Sequence, residues 1–150
     1  MSYKIGLIGL VREELKQDRW STLETLAKYG YQGVEGSFLA SDDIAETEAN
    51  RRRLNDLGME CVALACKHFN PELLDGTIEK AKALGVKYIV TYWGPAESEE
   101  QLKKDAEVLE QMAQKCLADG ISYCYHNHEH EFANRFGEKG TKYAMEILME

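Results

Sequence analysis

A glycine recurs at each junction between a helical pattern and a strand pattern, and this repeat constrains the fold more than any other feature. The four glycines are Gly30, Gly58, Gly85 and Gly120, roughly 30 residues apart. Each follows a helix-like tail and precedes a short turn into β-branched or aromatic residues. Glycine suits the position after a helix because it adopts the left-handed conformation at little cost. A repeat with one helix and one strand per unit indicates a chain of βα units.

The helix and strand boundaries follow from this repeat. Helices are predicted to begin at Asn70-Pro71, a capping residue followed by proline, and at Ser98, which opens a capping-box sequence. The helix after Ser98 carries an apolar stripe typical of packing against a sheet. A last helix is predicted over about residues 141–150. Strands are predicted at roughly residues 4–9, 33–36, 60–66, 87–92 and 122–127.

Alternating strands and helices imply parallel strands with right-handed crossovers, which leaves an open doubly wound sheet or a TIM barrel. The first strand-to-helix loop lacks GxGxxG, so the sequence does not predict dinucleotide binding. Five strands and five helices make up most of a (β/α)8 barrel, whose usual length is about 250 residues. We therefore predict an α/β fold, a partial (β/α)8 TIM barrel with about five βα units and parallel strands. Residues 1–150 are expected to form one domain, with no second domain.

An unclosed barrel would leave two bare strand edges and an exposed inner face, which is not a stable arrangement for an isolated chain. We therefore expect one of two situations. Either the chain is truncated, or it forms a homo-dimer in which a second copy supplies the missing wall of the barrel.

Composition argues against several classes of function. The formal net charge is −8, and phosphate backbones require a basic patch, so nucleic acid is not an expected partner. No apolar run approaches the ~18 residues of a membrane span, and the first residues do not resemble a secretory signal. The four cysteines show no CxxC spacing and lie in apolar patterns typical of reduced core residues. We expect a soluble cytoplasmic protein with no membrane partner.

Polar and aromatic residues follow the predicted strands where function collects in βα folds, at the carboxyl ends. Glu35 ends strand two, His68 follows strand three and Trp93 follows strand four. Each also has a structural alternative. Glu35 could pair with a neighbouring cation, His68 could be a hydrogen-bonded structural histidine, and Trp93 could be a hydrophobic plug instead of a platform for a sugar. Their common position at one rim favours a site.

The segment YHNHEHEF, residues 125–132, holds three of the four histidines. Strand alternation puts Cys124, His126 and His128 on one face, with Tyr125 and Asn127 on the other. Neutral imidazoles on one strand face could reach a common point in a barrel mouth. They are good ligands for Zn, Mn, Fe or Co and good hydrogen-bond partners for sugar hydroxyls.

The remaining polar residues of this segment are interpreted separately. Glu131 lies just beyond the strand, where its carboxylate could join the histidines. Glu129 and His130 are interpreted as part of a solvated surface loop.

The segments GYQGVEG, LGVKYIV and above all YHNHEHEF resemble the sugar phosphate isomerase/epimerase family of the xylose isomerase-like TIM barrel superfamily. That superfamily also contains inosose dehydratase-like, tagatose epimerase-like and endonuclease IV-like proteins. The resemblance extends over the whole chain, but only to the amino-terminal portion of such a barrel. The YHNHEHEF motif is the most specific part of it.

This resemblance implies a divalent metal at the carboxyl rim, manganese first, with magnesium, cobalt or zinc as alternatives. It implies proton transfer next to a carbonyl of a small sugar or polyol, through an enediolate. His126 and Glu131 are the metal ligands expected by position, and His128 is a substrate or metal contact. The expected catalytic residues are Glu35, His68, His126 and His128, and the expected substrate contacts are Trp93 and Asn127.

Strands six to eight, which would carry the remaining ligands, are absent from the sequence. Whether the chain is an enzyme is therefore left open, and an isolated monomer is expected to be inactive. One alternative is a non-catalytic half-barrel module that self-associates. A weaker alternative is endonuclease IV-like DNA repair, which the acidic charge disfavours.

Overall fold

The computed structural model describes residues 3–66, 70–92 and 94–150, and its main feature is a five-stranded parallel sheet. Each strand pairs with the next one along the chain, as consecutive βα units do in a barrel wall. All five predicted strands are present; the first covers only two of the six predicted residues, and each of the other four is one residue shorter than predicted. They are β1 (Gly6–Leu7), β2 (Gly33–Glu35), β3 (Glu60–Ala65), β4 (Tyr88–Tyr92) and β5 (Ser122–His126).

Helices follow the strands and cover one face of the sheet. The predicted helix start at Ser98 is confirmed, since Ser98 Oγ accepts a hydrogen bond from the Gln101 amide at 3.1 Å. Asn70 Oδ1 accepts one from the Glu72 amide at 2.9 Å, but it caps a 3-10 turn that leads into the helix beginning at Leu74. Among the described residues, no helix is both long and apolar enough to cross a membrane. The helices are α1 (Arg12–Gln17), α2 (Arg19–Lys28), α3 (Ile44–Asp56), α4 (Leu74–Leu84), α5 (Glu99–Ala118), α6 (His130–Ala133) and α7 (Ala144–Leu148), with 3-10 turns at Ser37–Leu39, Pro71–Leu73 and Glu138–Gly140.

The four repeated glycines adopt the left-handed conformation that the repeat predicts. Their φ angles are +90°, +74°, +71° and +71° at Gly30, Gly58, Gly85 and Gly120. Each ends a helix and turns the chain into the next strand, which is why the repeat sets the spacing of the sheet.

The segment after β5 differs from the prediction. Instead of one helix over residues 141–150, the chain forms an antiparallel hairpin of β6 (Arg135–Phe136) and β7 (Lys142–Tyr143), and α7 covers only Ala144–Leu148. Gly137 and Gly140 turn the hairpin with φ of +77° and +64°. The helix then begins only after Tyr143, whose backbone amide donates to the Glu146 carboxylate at 2.7 Å.

The two faces of the sheet have different environments. Ile89 and Thr91 of β4 are completely buried on the side that carries the helices, and Ile89 belongs to the main apolar core. Residues on the other side form what we call the lumen face, which corresponds to the interior of a barrel. That face remains open, since Val62 and Tyr88 are 43% and 46% exposed. In β4 and β5 the strand register aligns its members in three pairs: Tyr88 with Ser122, Val90 with Cys124, and Tyr92 with His126.

Candidate metal and substrate site

The carboxyl ends of β2, β4 and β5 meet at one rim of the lumen face. Tyr92 and His126 are register partners, and their ring centroids lie 6.4 Å apart. Glu35 ends β2 and is close enough to His126 for the imidazole to act on its ionisation. The rim therefore brings together a carboxyl group, an imidazole and a phenol.

The three clustered histidines stack one above the other. The ring centroids of His126 and His128 are 4.8 Å apart with an interplanar angle of 17°, and those of His128 and His130 are 5.9 Å apart with an angle of 19°. Strand β5 ends at His126, and Glu129 has helical backbone angles of −66° and −33°. The chain therefore leaves the strand before His130, and this turn keeps the third ring in the stack.

Glu131 is the fully buried carboxylate under this stack, with 0% of its surface exposed. Its Oε1 accepts the Tyr125 hydroxyl at 2.6 Å, and its Oε2 accepts the His128 backbone amide at 2.7 Å. Burial opposes its ionisation, but these hydrogen bonds and the nearby His130 ring outweigh burial and lower the pKa of Glu131. The carboxylate is thus held in one position.

The same network reaches the loop after β4. The Gly94 amide donates to the Tyr125 hydroxyl at 3.2 Å, and the Gly94 carbonyl lies 2.8 Å from His130 Nε2. Asn134 Nδ2 donates to the Ala96 carbonyl at 3.0 Å. The loop between β4 and α5 is therefore tied to the histidine segment by both backbone and side-chain groups.

One compact set of potential metal ligands occurs among the described residues: His128, His130 and Glu131, whose ligand atoms lie within 4.8 Å of one another. Two imidazoles and one carboxylate suit divalent ions such as zinc, manganese or cobalt. Three protein donors also leave coordination positions open for water or a substrate. The donor chemistry therefore fits a divalent cation. Both Glu131 oxygens already accept hydrogen bonds, and His130 Nε2 already contacts the Gly94 carbonyl, so the donors are held in position.

A cavity of about 400 Å³ opens beside the rim, between the β1–α1 loop and the ends of β2 and β4. Burial raises the pKa of Glu35, which lines it, against the opposing effects of His126 and Arg12. A carboxyl group with a raised pKa can exchange a proton closer to neutral pH than an ordinary glutamate.

The residues predicted for the site have different outcomes. His68 and Trp93 lie outside the described residues. Asn127 is exposed directly after β5, and its contact with a substrate stays a prediction. The predicted ligand pair was His126 with Glu131, whereas the compact set contains His130 in place of His126.

The sequence did not predict three residues that contribute to the site. Arg12 lines the cavity with Glu35, and Tyr125 and His130 bind the loop after β4. Alternation placed Tyr125 on the face away from the histidines, which is correct, but its hydroxyl reaches Glu131 past the end of the strand. For Arg12, the only signal in the sequence was its position after the first predicted strand.

No protein-family model matches the chain, and no curated protein is significantly similar to it in sequence. Solved structures do match. A sugar phosphate isomerase/epimerase from Parabacteroides distasonis ATCC 8503 superposes with a TM-score of 0.75 over 99% of this chain and 61% of its own, at 20% identity. The IolI protein with a bound zinc atom matches with a TM-score of 0.59 over 82% of this chain and 51% of its own, at 23% identity. A family 2 AP endonuclease from Brucella melitensis matches with a TM-score of 0.60 over 82% of this chain and 55% of its own, at 13% identity.

The chain therefore has the fold of a partial (β/α)8 barrel, as predicted, and it shares that fold with these three structures. It spans 61%, 51% and 55% of the lengths of these three structures.

Proposed function

We propose that this chain carries part of the active site of a metal-dependent sugar or sugar-phosphate isomerase or epimerase. The observation that carries the proposal is the set of His128, His130 and Glu131 at the carboxyl rim. The stacked histidine rings connect this set to His126, which is close enough to Glu35 to act on its ionisation. Function in barrels of this kind is located at that rim. The solved structures with the same fold include a sugar phosphate isomerase/epimerase and a protein with a bound zinc atom.

A divalent cation would be held by the two imidazoles, with Glu131 as third donor or as the residue that orients them. When bound, such a cation supplies polarisation of a substrate carbonyl and stabilises the negative charge of an enediolate. Manganese stays the first candidate from the sequence resemblance, with magnesium, cobalt and zinc as alternatives.

The chain's own residues would perform the proton transfer. Glu35 is the candidate base that takes the proton from the carbon next to the carbonyl, because its carboxyl group faces the cavity and has a raised pKa. His126, near Glu35 at the rim, is the candidate acid for the carbonyl oxygen. Returning the proton to the same carbon from the other side gives epimerisation, and returning it to the adjacent carbon gives isomerisation.

The test combines assembly state, metal content and exchange chemistry on one sample. The metal-free chain is loaded with Mn²⁺, Co²⁺ or Zn²⁺, and light scattering with metal analysis is performed on the same chromatographic peak. Proton NMR in D₂O then follows deuterium incorporation next to the carbonyl of a panel of ketoses and aldoses. We expect bound metal, metal-dependent exchange in at least one sugar, and loss of exchange in Glu35→Gln.

Two single substitutions distinguish the ligand sets. If the compact set holds the metal, His130→Ala lowers metal affinity strongly while His126→Ala mainly lowers exchange. The opposite pattern would support the pair of His126 and Glu131. A chain that binds no metal, or binds it without any exchange, overturns the enzyme proposal and favours the non-catalytic half-barrel module.

The assembly state is part of the same proposal. The open lumen face, with Val62 and Tyr88 exposed, supports a second copy as the missing wall. A dimer that binds metal fits this proposal, whereas an active monomer would contradict it. The AP endonuclease of the same fold makes abasic DNA a useful negative control, because the net charge of −8 disfavours nucleic-acid binding.

A further inference from the structure

The cavity beside the rim has a lining that is mainly apolar and aromatic, with two opposite charges. Leu7, Phe38, Ala65 and Tyr92 form much of its wall, and Arg12 and Glu35 are the only charged residues among its described lining residues. Its volume of about 400 Å³ lies within the usual range for small-molecule sites. Two opposite charges in such a wall define the orientation of a ligand.

The backbone of the β1–α1 loop brings Arg12 to this cavity. Gly9 has a φ of +69°, and Val11 has left-handed angles of 51° and 33°, which are rare for a β-branched residue. The Val11 side chain packs against the main core, which holds this turn in place. Arg12 Nη2 then lies 3.4 Å from where a side-chain carbon on residue 9 would be, so the guanidinium packs against the backbone of this turn.

The charge of Arg12 is not neutralised by a neighbouring carboxylate within the described part of the chain. Arg52 is the only arginine there that forms an ion pair with a carboxylate. Glu35 is close enough for Arg12 to act on its ionisation, yet the two groups form no ion pair. The described residues therefore leave the guanidinium with hydrogen-bond donors available toward the cavity.

We propose that Arg12 binds an anionic group of the substrate, a phosphate or a carboxylate, while Glu35 contacts the hydroxyl-bearing end. This rests on the proposed function and specifies its substrate class as an anionic sugar. A guanidinium is suited to either anion because its parallel N–H groups match two oxygens at once. The position is also distinct, because phosphate loops of TIM barrels usually follow strands seven and eight.

The test compares charged and neutral sugars in calorimetric titrations without metal. The probes are D-fructose 6-phosphate, D-gluconate and D-fructose. We expect Arg12→Gln to weaken binding of the charged probe about 10- to 100-fold, as expected for loss of a charge-assisted hydrogen-bonded pair, and to leave D-fructose unchanged. Arg12→Lys should give an intermediate loss. Whether the phosphate or the gluconate shows the effect identifies the anion.

The matched control is Arg52→Gln, which removes the same charge from an exposed helix face where Arg52 pairs with Glu48. Equal affinities in Arg12→Gln and Arg52→Gln, or no binding of either anionic probe by the unsubstituted chain, overturn the inference. The two proposals fail separately. If Arg12→Gln loses anion binding and the unsubstituted chain shows no sugar exchange, the anion site is supported and the enzyme proposal is rejected. If the unsubstituted chain shows exchange and Arg12→Gln binds the anions normally, the enzyme proposal is supported and the anion site is rejected.

Discussion

The buried carboxylate of Glu131 should be essential for the stability of the segment that carries the histidines. It is completely buried and accepts two short hydrogen bonds, from the Tyr125 hydroxyl and from the His128 amide. Glu131→Gln keeps the volume of the side chain but replaces one acceptor oxygen with an NH₂ donor. The substitution therefore tests the hydrogen bonds with little change in packing.

The expected magnitude follows from these contacts. If the glutamine oxygen faces the His128 amide, its NH₂ faces Tyr125, whose hydroxyl proton then loses its acceptor. One hydrogen bond to a charged group is worth about 1.5–3 kcal/mol. Removing a buried charge recovers some desolvation energy, so we expect a net loss of about 2 kcal/mol in the free energy of unfolding.

The assay is urea unfolding followed by far-UV circular dichroism. At a slope of about 2 kcal/mol per molar, the midpoint should fall by roughly 1 M. Glu129→Gln is the matched control, because Glu129 is exposed two residues away and its substitution should change stability by less than about 0.5 kcal/mol. A double-mutant cycle with Tyr125→Phe should show coupling, since both changes remove the same bond.

Equal midpoints for Glu131→Gln and Glu129→Gln would refute this reasoning. Purely additive effects of Glu131→Gln and Tyr125→Phe would also refute it, because they would show that the two side chains do not depend on each other.

Three further predictions concern residues away from the rim. Asp105 is 6% exposed, and burial raises the pKa of its carboxyl group despite the hydrogen bond from Gln101. The native state therefore holds the carboxyl proton to a higher pH than the unfolded state does. Stability is lost as the pH rises through the folded pKa. Asp105→Asn should gain stability relative to the unsubstituted chain as pH rises from about 4 to 7, and a pH-independent difference in urea unfolding would contradict this. Gly85→Ala should cost about 1–2 kcal/mol because Gly85 has a φ of +71° and the added carbon would meet the Arg51 guanidinium. Gly76→Ala, where an added carbon meets nothing within 4 Å in the first turn of α4, should instead stabilise by about 0.5 kcal/mol in the same urea unfolding assay.

Much of the fold could be predicted because its signals are local. The glycines after each helix, the caps at Asn70 and Ser98 and the runs of β-branched residues each act over a few neighbouring positions. The start of the final helix was wrong because Lys142 and Tyr143 pair with Arg135 and Phe136 across the turn at Gly137 and Gly140, and this pairing with preceding residues is not visible in the helical pattern.

The site was predicted less completely because its contacts join distant parts of the chain. Strand alternation correctly put Cys124 and His126 on one face. Alternation applies only while the strand continues, and the chain leaves β5 at His126. Beyond that point, the packing of the turn against the Gly94 loop determines which side chain lies next to Glu131. This packing brings His130 into the set of potential metal ligands.

The sequence by itself determined the repeating βα architecture, the rim at which functional residues gather and the types of donor available there. These depend on local backbone preferences and on the periodicity of apolar residues, both of which are written along the chain. Only the tertiary structure decided that Glu131 is buried under the histidines and that Arg12 faces the same cavity as Glu35. Burial and proximity between residues far apart in sequence depend on how the strands, helices and loops pack together, and no local pattern encodes them.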